Sequence, residues 1–126
     1  MDMVSVRYIV DDVAASIDFY SRHLGFTVDM NAAPGFAALS RGALRLLVNA
    51  AGGTGGASQA TPDGRVPEPG GWNRVQLTVT DLAGDVDRLR AAGLMFRNDI
   101  VVGRGGSQIL LEDPAGNLVE LFQPAP

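Results

Sequence analysis

Few side chains in this chain are equipped for chemistry, and their types narrow it quickly. There is no cysteine and one histidine. Disulfides, thiolate metal sites and a cysteine nucleophile are therefore excluded. The side chain that stands out is Glu120. It lies in Leu118-Val119-Glu120-Leu121-Phe122, a run whose strand alternation places Leu118, Glu120 and Phe122 on one face and Val119 and Leu121 on the other. A carboxylate between two apolar neighbours is rarely buried unless it is paired. What stands opposite Glu120 thus decides its role, either ion-pair partner or general base, and it is the one candidate for the latter. The single histidine, His23, ends the run Tyr20-Ser21-Arg22-His23-Leu24. There a basic side chain complements the helix dipole, so a structural role is expected for it.

The elements that must position Glu120 can be read from pattern. Ile109-Leu110-Leu111 and the run containing Glu120 flank Glu112-Asp113-Pro114-Ala115-Gly116-Asn117. Two β-prone runs around an Asp-Pro-x-Gly-Asn cluster predict a hairpin. At the other end, residues 4–10 alternate as a strand, with Val6, Tyr8 and Val10 on one face and Ser5, Arg7 and Ile9 on the other. Asp12 is placed to cap a helix over residues 13–24, in which Val13, Ile17, Tyr20 and Leu24 form an apolar stripe, and Gly25 is placed to end it. Tyr8 and Tyr20 are expected in the core. Strands follow over 26–30, 35–40 and 43–49, with Arg41-Gly42 as a turn. The first half reads β-α-β-β-β.

Residues 51–71 are rich in glycine and proline and cannot build a core, so they are expected to be a linker or a flap over a ligand site. The pattern then restarts. Residues 74–79 are a strand with Val75, Leu77 and Val79 on one face and Arg74, Gln76 and Thr78 on the other. Asp81 is placed to cap a helix over 82–92, with Leu82, Val86 and Leu89 as its stripe. A strand over 94–98 and the closing hairpin complete a second β-α-β-β-β unit, with residues 100–104 left open. Placing Asp12 on Asp81 aligns Val6 with Val75 and Val10 with Val79. Placing Gly42 on Gly116 aligns Leu46 with Glu120. An internal duplication follows. The fold class is α+β: two tandem βαβββ modules, residues 4–50 and 72–123 of one 126-residue domain, forming a curved mixed sheet around a groove with the helices outside.

Composition excludes several partners. The net charge is -4 and the pI about 4.7, with no basic run, which argues against nucleic acid and anionic membranes. No apolar stretch reaches the length of a membrane span, and Met1-Asp2-Met3-Val4 lacks the form of a signal peptide, so a cytoplasmic protein is expected.

Certain residues carry a resemblance. They are Asp11-Asp12, Ser16, Phe19-Tyr20 and Leu24-Gly25-Phe26 in the first half, with Val79-Thr80-Asp81-Leu82 and Glu112-Asp113-Pro114-Ala115-Gly116-Asn117 in the second. At this spacing, over nearly the whole chain, they resemble the vicinal oxygen chelate superfamily. It includes glyoxalase I, extradiol dioxygenases, fosfomycin-modifying enzymes and bleomycin-binding resistance proteins. The resemblance implies four metal-ligand positions, on the first and last strand of each module. In this chain they fall on Ser5, Leu46, Arg74 and Glu120. Only Glu120 offers a good donor, and Arg74 is a fixed cation. No metal and no cofactor are expected.

Because the four positions converge in the family, the resemblance places Arg74 within contact range of Glu120, an ion pair in place of a metal. It implies a metal-free binding protein for a small molecule, an antibiotic or related natural product, acting as a homodimer like the bleomycin-binding branch. The alternative is a metal-dependent lyase or dioxygenase with an atypical ligand set drawing on Gln76, Asp99 or a partner chain. Strand parity and the alignment propose a ligand-binding set of Ser5, Arg7, Leu46, Val48, Trp72, Arg74, Gln76, Glu120 and Phe122. Leu44, Leu46 and Val48 form the first-module wall, and Trp72 is a lid or a plug at the start of a strand. No catalytic residue is assigned beyond the candidate Glu120.

Overall fold

A computed structural model of the protein describes residues 4–53 and 55–126. The reading of the extreme N-terminus therefore lies largely outside the described residues. The chain divides into two compact units, residues 1–70 and 71–126.

In the first unit the order is β1 (Ser5–Val10), α1 (Val13–His23), β2 (Thr27–Ala32), β3 (Phe36–Arg41) and β4 (Leu44–Ala50). Asp12 caps α1: its backbone is extended and its carboxylate accepts from the Ala15 N–H at 3.1 Å. This satisfies a donor that the first turn would otherwise leave without a partner. The helix stops at Gly25, whose φ of +70° is the left-handed conformation that glycine adopts without strain. Of the expected stripe of α1, Val13, Tyr20 and Leu24 are buried and Ile17 is half-buried, while Ser16 and Phe19 complete the buried face. Tyr20 is fully buried and meets Phe19 and Phe26 edge-on at 4.9 and 5.3 Å, a favoured aromatic geometry. The sheet order is β1-β4-β3-β2. β1 runs parallel to β4, the other pairs are antiparallel, and α1 packs on β3 and β4.

The second unit holds β5 (Arg74–Thr78), α2 (Leu82–Ala91), β6 (Met95–Phe96), β7 (Val101–Val102), β8 (Gly106–Glu112) and β9 (Leu118–Pro124). Asp81 caps α2 through the Gly84 N–H, as Asp12 caps α1, and Leu82, Val86 and Leu89 are its buried residues as expected. The undecided residues 100–104 contribute the two-residue strand β7 on β8, an extra rung with no counterpart among the described residues of the first unit. The order is β5-β9-β8-β6, with β5 parallel to β9. The strands thus form two mixed sheets, of four and five strands, one per unit. The α+β class and the two βαβββ modules stand.

The hairpin turn is held by Asp113. Its Oδ1 accepts from the Ala115 and Asn117 N–H groups at 2.9 and 2.8 Å, while Gly116 takes a φ of +88°. Both ends of β9 are thereby referred to β8, with Leu110 opposite Glu120 and Glu112 opposite Leu118.

The Gly/Pro-rich segment is not a plain tether. A 3-10 helix (Gly56–Ser58) follows β4, Gly52 donates to the Ser58 carbonyl at 2.7 Å, and Ser58 N–H donates to Gly55 at 3.0 Å. Ser58 is buried.

Candidate functional site

The open face of the second sheet carries the polar centre. Arg74, Gln76 and Thr78 of β5 are exposed while Val75 and Leu77 between them are buried. Register sets Arg74 beside Leu118, Gln76 beside Glu120 and Thr78 beside Phe122. Side chains of paired residues share a face, so these six stand together. From β8, Gln108 and Leu110 join Phe122 and Glu120. The other face, with Val119 and Leu121, is core, and α2 packs on β9.

At the centre the expected ion pair is present. Arg74 Nε and Nη2 both reach Glu120 Oε1 at 3.0 Å. The amide of Gln76 donates to Oε2 at 2.6 Å. Both carboxylate oxygens thus accept from protein donors. The Glu120 side chain is 7% exposed and that of Arg74 30%, so the acid is buried and its partner reaches towards solvent. Desolvating a carboxylate is costly, and charge-assisted hydrogen bonds from a guanidinium are the usual compensation.

The first unit corrects the sequence reading. Ser5 and Arg7 are exposed on β1, as parity required. Leu46 and Val48 are not on their face. β4 places Leu46 beside Val6 and Val48 beside Tyr8, on the side of Val10, and both leucine and valine are fully buried. The open-face residues of β4 are Arg45, Leu47 and Asn49, beside Ser5, Arg7 and Ile9. Leu47, not Leu46, therefore occupies the position of Glu120: Leu47 stands beside Arg7, and Glu120 beside Gln76. The reason is turn length. Gly42 and Ala43 alone separate the paired Arg41 and Leu44, whereas residues 113–117 separate Glu112 and Leu118. Aligning the turn glycines shifts the following strand by one residue, and a one-residue shift moves every side chain to the opposite face. Leu44 moves with them and is half-buried.

Sequence reasoning missed Leu47 and Asn49. A signal was available: Arg45 and Asn49 are the polar residues of β4 and share one parity, which marks the open face. Trp72 precedes β5 and is 71% exposed, so it does not plug the start of that strand. Asp99 pairs with Arg90 at 3.1 Å and is almost fully exposed. His23 lies in the last turn of α1, edge-on to Phe19 at 6.3 Å.

The side chains do not fit a divalent metal ion. Of the four positions, Leu46 and its structural replacement Leu47 have no donor atom, Ser5 has only a hydroxyl, and Arg74 is a cation. Glu120 turns both oxygens to Arg74 and Gln76. Zinc, iron and their relatives need three or more N, O or S donors at about 2 Å. Among the described residues no cluster of three His, Cys, Asp or Glu side chains exists that could hold one.

The fold agrees with the comparisons to known proteins. The model of the Glyoxalase/Bleomycin resistance protein/Dioxygenase superfamily matches residues 2–121, and the chain belongs to that superfamily. No curated protein matches the chain in sequence. Solved structures share the fold. Lactoylglutathione lyase from Agrobacterium tumefaciens superposes with a TM-score of 0.75 at 20% identity, covering 97% of this chain and 92% of that one. TnmS3, an antibiotic binding protein from Streptomyces sp. CB03234, gives 0.73 at 21% identity, covering 99% and 97%. TioX from Micromonospora sp. ML1 gives 0.74 at 22% identity, covering 99% and 100%.

Proposed function

We propose that this protein binds a flat or amphipathic small molecule, an antibiotic or related natural product, without a metal ion and without transforming it. The observation that carries the reading is the state of Glu120. It stands at the one family ligand position with a strong donor, and a guanidinium and an amide hold both its oxygens. A carboxylate so held is a poor metal ligand. As a general base it would have to surrender a charge-assisted hydrogen bond to accept a proton. What remains is a fixed polar centre beside the half-buried apolar side chains of Leu110 and Phe122 on one sheet face, a combination that orients ligands and offers them apolar surface. The likeness in fold to TnmS3, an antibiotic binding protein, supports the same reading.

The test is a thermal-shift screen of chelator-treated protein against aromatic natural-product antibiotics, followed by calorimetry on the hits. Affinity is expected to change by less than about twofold when zinc or iron is added back, and purified protein is expected to carry fewer than about 0.1 ions per chain. A hit whose affinity rises tenfold or more with metal would sink the reading in favour of a metal-dependent lyase or dioxygenase.

The proposal includes a cytoplasmic homodimer. Every residue of the edge strand β2 is exposed, Met30 among them at 53%, and such an edge is open to pairing. Sedimentation is expected to return twice the chain mass of 13.2 kDa. A monomer at high micromolar concentration contradicts it.

A further inference from the structure

We infer that the open face of the first sheet takes a small molecule with an acidic group, a carboxylate or comparable oxyanion, and that Arg7 pairs with that group. This rests on the binding reading above. The argument starts from charge. Arg22, Arg65, Arg74, Arg88, Arg90 and Arg97 each lie beside an Asp or Glu carboxylate. Arg7, like Arg41 and Arg104, has no carboxylate partner among the described residues. What sets Arg7 apart is that a neutral group holds it. Arg7 Nη1 donates to Asn49 Oδ1, which leaves further N–H groups of the guanidinium, out of five, for another acceptor.

The second observation is how that guanidinium is held. Asn49 is 3% exposed and Ser58 1%, an unusual expense of buried polar groups behind an exposed side chain. Asn49 Nδ2 donates to Ser58 Oγ at 3.4 Å. The guanidinium has donors only, so it takes the amide oxygen and leaves Asn49 Nδ2 to face Ser58. Ser58 is fixed in turn by the short loop that closes on it, with Gly52 donating to its carbonyl and its own N–H donating to Gly55. A chain of contacts thus runs from the loop after β4, through a buried amide, to one guanidinium on the open face beside Ile9 and Leu47.

Surface arginines that only confer solubility need no such support. Holding the side chain in place before binding removes part of the entropy cost of forming a bidentate contact, and a planar fork with apolar neighbours suits an acidic group on an apolar body. Arg7 is the binding residue. Asn49 and Ser58 are positioning residues.

The experiment uses the full chain after chelation and two matched probes, 2-naphthoate and the uncharged 2-naphthalenemethanol. Calorimetry supplies both affinities, and the Arg7 Nε–H signal, assigned by its loss in Arg7→Met, is followed by NMR. The acid is expected to bind about tenfold tighter than the alcohol and to move that signal. Arg7→Met is expected to abolish the preference, bringing the two affinities within about twofold of each other. Asn49→Asp supplies Arg7 with an internal carboxylate and is expected to abolish the preference as well. Ser58→Ala is expected to lower it about threefold, a change in the ratio of the two affinities that loss of stability alone would not produce.

Equal affinity for the two probes, or a preference that survives Arg7→Met, overturns the inference and leaves the metal-free binding reading standing. Binding of neither probe overturns the inference. Binding of either probe only after zinc is restored overturns the binding reading as well.

Discussion

Replacing Arg74 by alanine is expected to lower the melting temperature by about 12 °C. The substitution leaves Glu120, whose side chain is 7% exposed, with Gln76 as its one remaining neutral partner. Stranding a buried charge in this way costs about 3–5 kcal/mol. The lower end applies, because Arg74 is 30% exposed and water can enter where it stood. About 3 kcal/mol at about 4 °C per kcal/mol gives the shift stated. The double substitution Arg74→Met with Glu120→Met removes both charges and keeps the volume, and it is expected to recover to within about 1 kcal/mol of the parent. Thermal denaturation followed by circular dichroism reads both. A melting point that Arg74→Ala does not move would show that Glu120 draws its support from elsewhere, and the account of the polar centre would fail with it.

The second large effect separates two adjacent leucines. Leu46→Ala is expected to cost about 3–4 kcal/mol, because Leu46 is fully buried beside Val6 and Val48 is fully buried on the same side, and an emptied core site loses both transfer energy and packing. Leu47→Ala removes a half-buried side chain next to Arg7 on the open face and is expected to cost about 1 kcal/mol or less. The order reverses for binding. Leu47→Ala is expected to weaken binding of the compounds found by the metal-free screen, whereas Leu46→Ala leaves it intact in whatever fraction remains folded. Urea midpoints and calorimetry on the two variants check both halves. Equal destabilisation would return Leu46 to the open face and undo the register on which the open face of β4 is defined.

That pair of residues also shows where reading the chain as a string stops working. The two helices and most strands were legible because their signals are local, whereas the short strand β7 and the 3-10 helix were not. Asp12 and Asp81 cap helices with their own side chains. Asp113 folds its hairpin through N–H groups two and four residues on. The alternation of Arg74 to Thr78 reports which residues are buried without reference to any other strand. Arg74 could be set against Glu120 because parity and the family pattern agree, and the parallel register of β5 and β9 brings them together. Leu46 and Leu47 could not be told apart by repeat alignment, since the two turns differ in length and register across a turn depends on that length.

The sequence by itself determined the two modules, their helix caps, the hairpin and the poverty of metal-binding donors, all of which follow from residue type and short-range spacing. The tertiary structure alone decided which parity of β4 faces outward, that Gln76 takes the second oxygen of Glu120, and that Asn49 joins Arg7 to Ser58. The physical reason is range. Arg7 and Asn49 lie 42 residues apart in the chain and meet because β1 and β4 pair in parallel. A glycine-rich segment with no periodicity supplies Ser58. No local pattern encodes a contact whose partners are brought together by strand pairing and loop closure.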